Sequence, residues 1–120
     1  MKIVILPPAL AELDEAAIYY SERASPRIAQ AFLDDFEHAR KRLATYPEIG
    51  TPLSPRHRLL PLRHFPYSVI YRLTPAAIVI DAIADQRRRP GYWRRRQHTT
   101  HTRLIRDTPA GRALSSTVTS

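Results

Sequence analysis

The sequence predicts an α+β domain in which a two-helix hairpin forms one layer on a small sheet. Two observations predict it. The first half carries two consecutive segments with helical apolar spacing, and the second half carries three β-rich runs joined by connections too short for helices. A short β-branched run before the first helix adds an N-terminal strand.

Lys2 to Leu6 is that strand, and Pro7 and Pro8 stop it because proline has no amide hydrogen for a ladder. From Pro8 to Ala24, Leu10, Leu13, Ala17 and Tyr20 recur at helical spacing, with Glu12, Asp14, Glu15 and Glu22 falling mostly between them. The early acidic residues are expected to complement the positive end of the helix dipole. Of the adjacent Tyr19 and Tyr20, one is expected to face the core. Ser25 followed by Pro26 has the chemistry of an N-cap and first helical position, and Ile28, Phe32, Phe36, Ala39 and Leu43 mark one face of a second helix. That helix should end near Tyr46, since Pro47 follows. Pro47 to Pro55, with Gly50 and three prolines, reads as a loop. Arg58 to Leu62, Tyr67 to Leu73 and Ile78 to Ile83 then read as three strands, antiparallel to their neighbours because their connections are short. Residues 97–120 lose periodicity and are rich in Ser and Thr, so a domain spanning 1–96 is expected, with a disordered tail behind it.

Charge divides the chain more sharply than composition does. Residues 1–50 hold six Lys or Arg against eight Asp or Glu, a net of −2; residues 51–96 hold ten against two, a net of +8. Residues 97–120 add three against one. A field so placed suits an anionic partner: nucleic acid, a membrane surface or an acidic protein segment. Of the 19 basic residues, 17 are arginine, which leaves little room for lysine chemistry in the basic half.

Several function classes are excluded. With no cysteine there is neither a disulfide framework nor a thiolate metal site, in keeping with a cytoplasmic location. The N-terminal apolar run is too short for a signal or membrane segment. Among the histidines only His98-x-x-His101 has ligand spacing, so no metal is expected, and with three glycines and no phosphate loop, no cofactor either. A G-x-S-x-G nucleophile elbow is absent.

Arginines and aromatics remain. Arg56, Arg58, Arg63, Arg72 and two arginine triplets within Ala84 to Arg96 could form one patch over the sheet, of the kind that binds a phosphate backbone and stacks bases. Four motifs in order, ALAELDEAAIYY from Ala9, LATYPEIGTP from Leu43, RHFPYSVIYR from Arg63 and RRRPGYW from Arg87, resemble the RelE/ParE superfamily of type II toxin–antitoxin toxins over residues 1–96.

The resemblance implies a RelE/ParE-like fold, N-terminal strand and helical hairpin on a small antiparallel-rich sheet. It also implies a toxin that arrests growth when released from a cognate antitoxin, whose acidic C-terminal segment would wrap it in a hetero-oligomer, as in plasmid stabilization systems. Two mechanisms divide the superfamily. A ribosome-dependent mRNA endonuclease of RelE type would use Arg63, Arg87 and Tyr92 to clamp phosphate or move protons, with His57 and His64 as further acid/base groups. A ParE-like member lacks that set, and DNA gyrase is among the known targets of its branch. Here Ser68 follows Tyr67 where cleaving relatives commonly carry arginine, and Asp85 stands where related endings often carry histidine. Both departures favour the ParE-like branch. Arg56, Arg58, Arg88 and Arg89 are then candidates for binding the target. A non-toxic basic binding module is the remaining alternative.

Overall fold

The computed structural model describes residues 1–88; Arg89, Tyr92, His98, His101 and the expected boundary near residue 96 lie outside the described residues. The order is β1 (Lys2–Ile5), α1 (Pro7–Arg23), α2 (Pro26–Thr45), β2 (Thr51–Pro52), β3 (Arg58–Pro61), β4 (Tyr67–Leu73) and β5 (Ala77–Asp85). The sheet runs β1-β5-β4-β3-β2, parallel between β1 and β5 and antiparallel elsewhere. A helical connection of two elements separates β1 from the rest, so it can return parallel to β5, while β3, β4 and β5 follow by tight turns.

One continuous core lies between the helices and one face of the sheet. Ala9, Leu13 and Ala16 of α1 and Phe32, Phe36, Ala39 and Leu43 of α2 meet Leu60, Tyr67, Val69, Tyr71, Ile78, Ile80 and Ile83. The Tyr20 ring joins it edge-on to Phe65, 5.0 Å between centroids, while Tyr19 stays exposed beneath Arg23. Leu10 and Ile28, expected on the buried faces, are 46% and 38% exposed. Each sits one position from the stripe actually used, where Ala9 and Ala29 are buried instead; small residues let the helices approach closely.

Ser25 caps α2 as expected, its Oγ accepting from the Ile28 amide at 3.2 Å. The expected role of the early acidic residues in α1 is not observed. The helix begins at Pro7 and its first turn holds no acidic residue. Glu12 instead reaches the sheet, where Oε1 accepts from the Ile83 amide at 2.8 Å. The prolines explain why: β1 pairs with β5 only as far as Ile5↔Ile80, and the Leu6 amide makes a last bond to the Ile80 carbonyl. Beyond that point the amide of Ile83 needs another acceptor, because an unmatched buried N–H costs about 1–3 kcal/mol.

Within the expected loop, Thr51 and Pro52 pair with Leu59 and Arg58 as a two-residue edge strand. Two residues carry no readable period, and Pro52 suits an edge. Gly50 is fixed by close approach. A Cβ there would stand 2.7 Å from both Cε1 and the hydroxyl of Tyr71. The Tyr71 hydroxyl accepts from the Gly50 amide and donates to the Pro47 carbonyl, both at 2.8 Å, so the chain leaving α2 is tied to the middle of β4. Gly50→Ala should destabilise the fold by about 1–3 kcal/mol in urea denaturation. Tyr71→Phe should cost about 1–2 kcal/mol, and because both changes disturb one contact their combination should cost less than the sum.

Candidate functional site

The residues singled out in the sequence gather at two ends of the sheet. At one end β4 begins and β5 finishes, with Tyr67 opposite Asp85 in the ladder. The chain is held as it leaves. The Gln86 amide donates to the Pro66 carbonyl at 2.9 Å, and its side-chain amide donates to the Tyr67 carbonyl and the Ser68 hydroxyl, each at 3.1 Å. Ser68 is thereby buried at 3% exposure, on the strand position where a cleaving relative would present arginine.

Arg87 turns back on this frame. Nε and Nη2 donate to the two carboxylate oxygens of Asp85 at 2.8 and 3.0 Å, and Nη2 also reaches the Tyr67 hydroxyl at 3.2 Å. The Arg87 amide adds a bond to Asp85 Oδ1, and the guanidinium lies 5.6 Å from the centre of the Tyr67 ring. A two-point fork, a cation–π contact and a backbone turn thus fix one side chain. The hydrogen bonds to Asp85, less the cost of partial burial, hold the Arg87 guanidinium above its ordinary pKa. Burial, then the nearby Asp85 charge, pushes the Tyr67 phenol up as well. Both shifts favour the protonated form of the group.

At the other end of β3 the basic residues have structural partners. Arg58 Nη1 donates to the carbonyls of Glu48 and Gly50 at 3.0 and 2.8 Å, pinning the loop that precedes β2. Asp81 is 3% exposed, yet Arg72 Nε and His57 Nε2 both lie 3.0 Å from its Oδ2. It is the extra residue of a bulge, since Tyr71 pairs with Ile80 and Ile70 with Ala82. His57 Nδ1 lies 3.3 Å from the Ser54 hydroxyl. Ser54, His57 and Asp81 follow in the order of a nucleophile relay, but the Ser54 oxygen accepts from the amides of Arg56 and His57 and the carboxylate is shared with Arg72. The arrangement holds the 54–57 turn to β5.

Arg56 is exposed on that turn. Arg63 is exposed in the β3–β4 connection, where the neighbouring His64 amide donates to buried Asp35 of α2 at 2.8 Å. Arg63, Arg87 and Arg88 therefore share one end of the sheet; Arg56 and Arg58 belong to the other, and Arg72 is drawn to Asp81. Among the described residues the arginines fall at both ends of the sheet; Arg89 and Arg94 to Arg96 lie outside them. Among the described residues no group of three or more His, Asp or Glu is placed to hold a metal, and no helix is long and apolar enough to cross a membrane. Tyr67, Asp81 and Gln86, which build the site, were not singled out in the sequence. Only the pairing of an aromatic at the first position of one strand with an acid at the last position of the next could have pointed to Tyr67.

A helical hairpin on a five-stranded sheet, with arginines at the strand ends, makes this a small basic α+β protein. The chain belongs to the ParE toxin family: residues 3–90 match the family described as ParE toxin of type II toxin-antitoxin system, parDE. It is similar to a solved structure described as the chromosomal ParDE TA system from P. aeruginosa, at 25% identity and a TM-score of 0.64, over 71% of this chain and 95% of that one. No curated protein matches.

The raised pKa of Tyr67 has a consequence for stability. The folded state binds the phenolic proton more tightly than the unfolded state, so its contribution is fully present below the ordinary tyrosine pKa of about 10 and is lost as pH rises beyond it. Burial raises Tyr71 in the same direction. Alkaline titration should show these two tyrosines ionising above the ordinary tyrosine range, and Tyr67→Phe should flatten the fall of melting temperature above pH 10.

Proposed function

We propose that this ParE-family toxin arrests growth by binding a protein target, DNA gyrase being the candidate of its branch, without cleaving RNA. The observation that carries this reading is the engagement of Arg87. A ribonuclease of this architecture needs a guanidinium aimed at the scissile phosphate and groups able to move protons. Here the Arg87 fork is filled by Asp85, Tyr67 is held protonated, and Ser68 is buried under Gln86. Arg56, Arg63 and Arg88 are exposed and suit an acidic or phosphate-bearing target, with Arg89 following in sequence.

The same charge supports a cognate antitoxin as partner. An acidic segment that orders on binding would complement the net +8 of residues 51–96, and the two would form a hetero-oligomer in the cytoplasm. The chromosomal ParDE system from P. aeruginosa favours this assembly. Induced expression of the chain alone should stop growth, and co-expression of the adjacent short reading frame with an acidic C-terminal half should restore it. Purified toxin should leave relaxed plasmid unsupercoiled in a gyrase assay. Primer extension on mRNA from arrested cells should show no codon-phased cuts. Cuts in phase with the reading frame would establish the RelE-type endonuclease instead, and unaffected supercoiling would remove gyrase.

A further inference from the structure

We propose that this toxin holds its protein target through the stretch from Tyr46 to Arg56, which takes an acidic segment carrying an apolar side chain. This surface rests on the protein-target reading above and says where the contact lies. Nine large apolar side chains are exposed among the described residues, and three of them, Tyr46, Ile49 and Leu53, fall within eight consecutive positions. Apolar exposure gathered in one place marks a contact surface, where scattered single residues do not. The Ile49 amide closes a turn on the Tyr46 carbonyl at 3.0 Å, and Gly50 is buried against Tyr71, so Ile49 stands clear of the core. Leu53 follows across the two residues of β2.

The turn behind Leu53 is built before any partner arrives. The amides of Leu53 and Ser54 donate to the His57 carbonyl at 2.8 and 3.3 Å, and those of Arg56 and His57 to the Ser54 hydroxyl oxygen at 3.4 and 3.2 Å. His57 in turn lies 3.0 Å from Asp81, which β5 holds buried. Arg56 is therefore presented, exposed, from a turn that loses little freedom on binding. Glu48 is the one acidic residue between positions 46 and 58, against Arg56 and Arg58, so the charge beside the apolar side chains is net positive. The exposed apolar residues of α1, Leu10, Ile18 and Tyr19, stand instead among exposed Asp14, Glu15 and Glu22, which repel an acidic partner. Strand addition is disfavoured as well, since β2 closes the sheet with two residues, one a proline without an amide hydrogen. Recognition falls to the side chains. Isoleucine and leucine offer no ring for a base to stack on, but they pack against an apolar side chain.

The test uses the full chain, with growth arrest on induced expression as the first readout and inhibition of purified gyrase as the second. Ile49→Ser, Leu53→Ser and Arg56→Glu should each raise the inducer level needed for arrest, and the half-inhibitory concentration in the supercoiling assay, by about three- to tenfold. Leu53→Ser combined with Arg56→Glu should raise both further. Each variant should still melt as the natural chain does and still co-purify with the product of the adjacent reading frame. Arg27→Glu, the same charge change at an exposed position of α2, should leave arrest as it is. The proposal is overturned if the three variants arrest growth as the natural chain does, or if Arg27→Glu weakens arrest equally. It is overturned in favour of a nucleic acid if Arg56→Glu alone has an effect, and in favour of the antitoxin if co-purification is lost along with arrest. A natural chain that does not arrest growth removes the protein-target reading and this surface with it. Arrest without gyrase inhibition removes only gyrase and leaves the comparison of variants standing.

Discussion

β5 is the strand on which everything else depends, because it is buried along seven of its nine residues and every backbone group in it must find a partner. Its neighbours supply most of them, but not all. β4 matches it with a shift around Asp81, and β1 is cut short by two prolines. One shortfall is met by an acidic side chain, Glu12 from α1 taking the Ile83 amide; Asp81 draws Arg72 and His57 to the bulge, and Asp85 turns the chain at the strand's end. The hairpin is thus anchored to the sheet by a polar contact as well as by its apolar face.

This requirement changes the meaning of the charge distribution. The basic half holds only two acidic residues, Asp81 and Asp85, and both lie on β5. Each is bonded to an arginine, one buried in the sheet and one at its exit. Burying the Asp81 carboxylate is tolerable only because two donors meet it, and removal of the carboxylate would leave Arg72 beside an apolar strand. The arginines named from the sequence are consequently not equivalent. Arg58 and Arg72 hold the fold, Arg87 is held by it, and Arg56 and Arg63 face outward.

How far this could be read from the sequence follows from the range of each signal. The capped helix at Ser25, the stop at Pro47 and the three antiparallel strands rest on contacts between near neighbours, and each appears close to where its residues place it. Local periodicity erred by one position at Leu10 and Ile28, since two alternative faces of a helix rich in alanine differ little in hydrophobicity. What could not be read were contacts between residues far apart in the chain. Glu12 with Ile83, Asp35 with His64, and Tyr71 with Gly50 are each separated by more than twenty positions. None leaves a local pattern, because a carboxylate on a helix looks the same whether water or a strand amide is its partner. The bulge at Asp81 is invisible for a related reason: inserting one residue breaks the alternation that identifies a strand.

The exit of β5 shows how one framework can carry different chemistries. Its strand pairing fixes where residues 85 and 87 stand, but their identity decides what the pair can do. A titratable imidazole at position 85 would leave a partner that can gain or lose a proton near neutral pH and would not fill the arginine's fork with a permanent charge. The Asp85 carboxylate fills the Nε–Nη2 side of the fork, each of its oxygens accepting from Arg87. The Tyr67 ring and the Gln86 bonds do not involve the side chain of residue 85, whereas the turn at Arg87 does, since its amide donates to Asp85 Oδ1. In this chain Arg87 is paired with Asp85, and Arg63 and Arg88 lie exposed at the same end of the sheet.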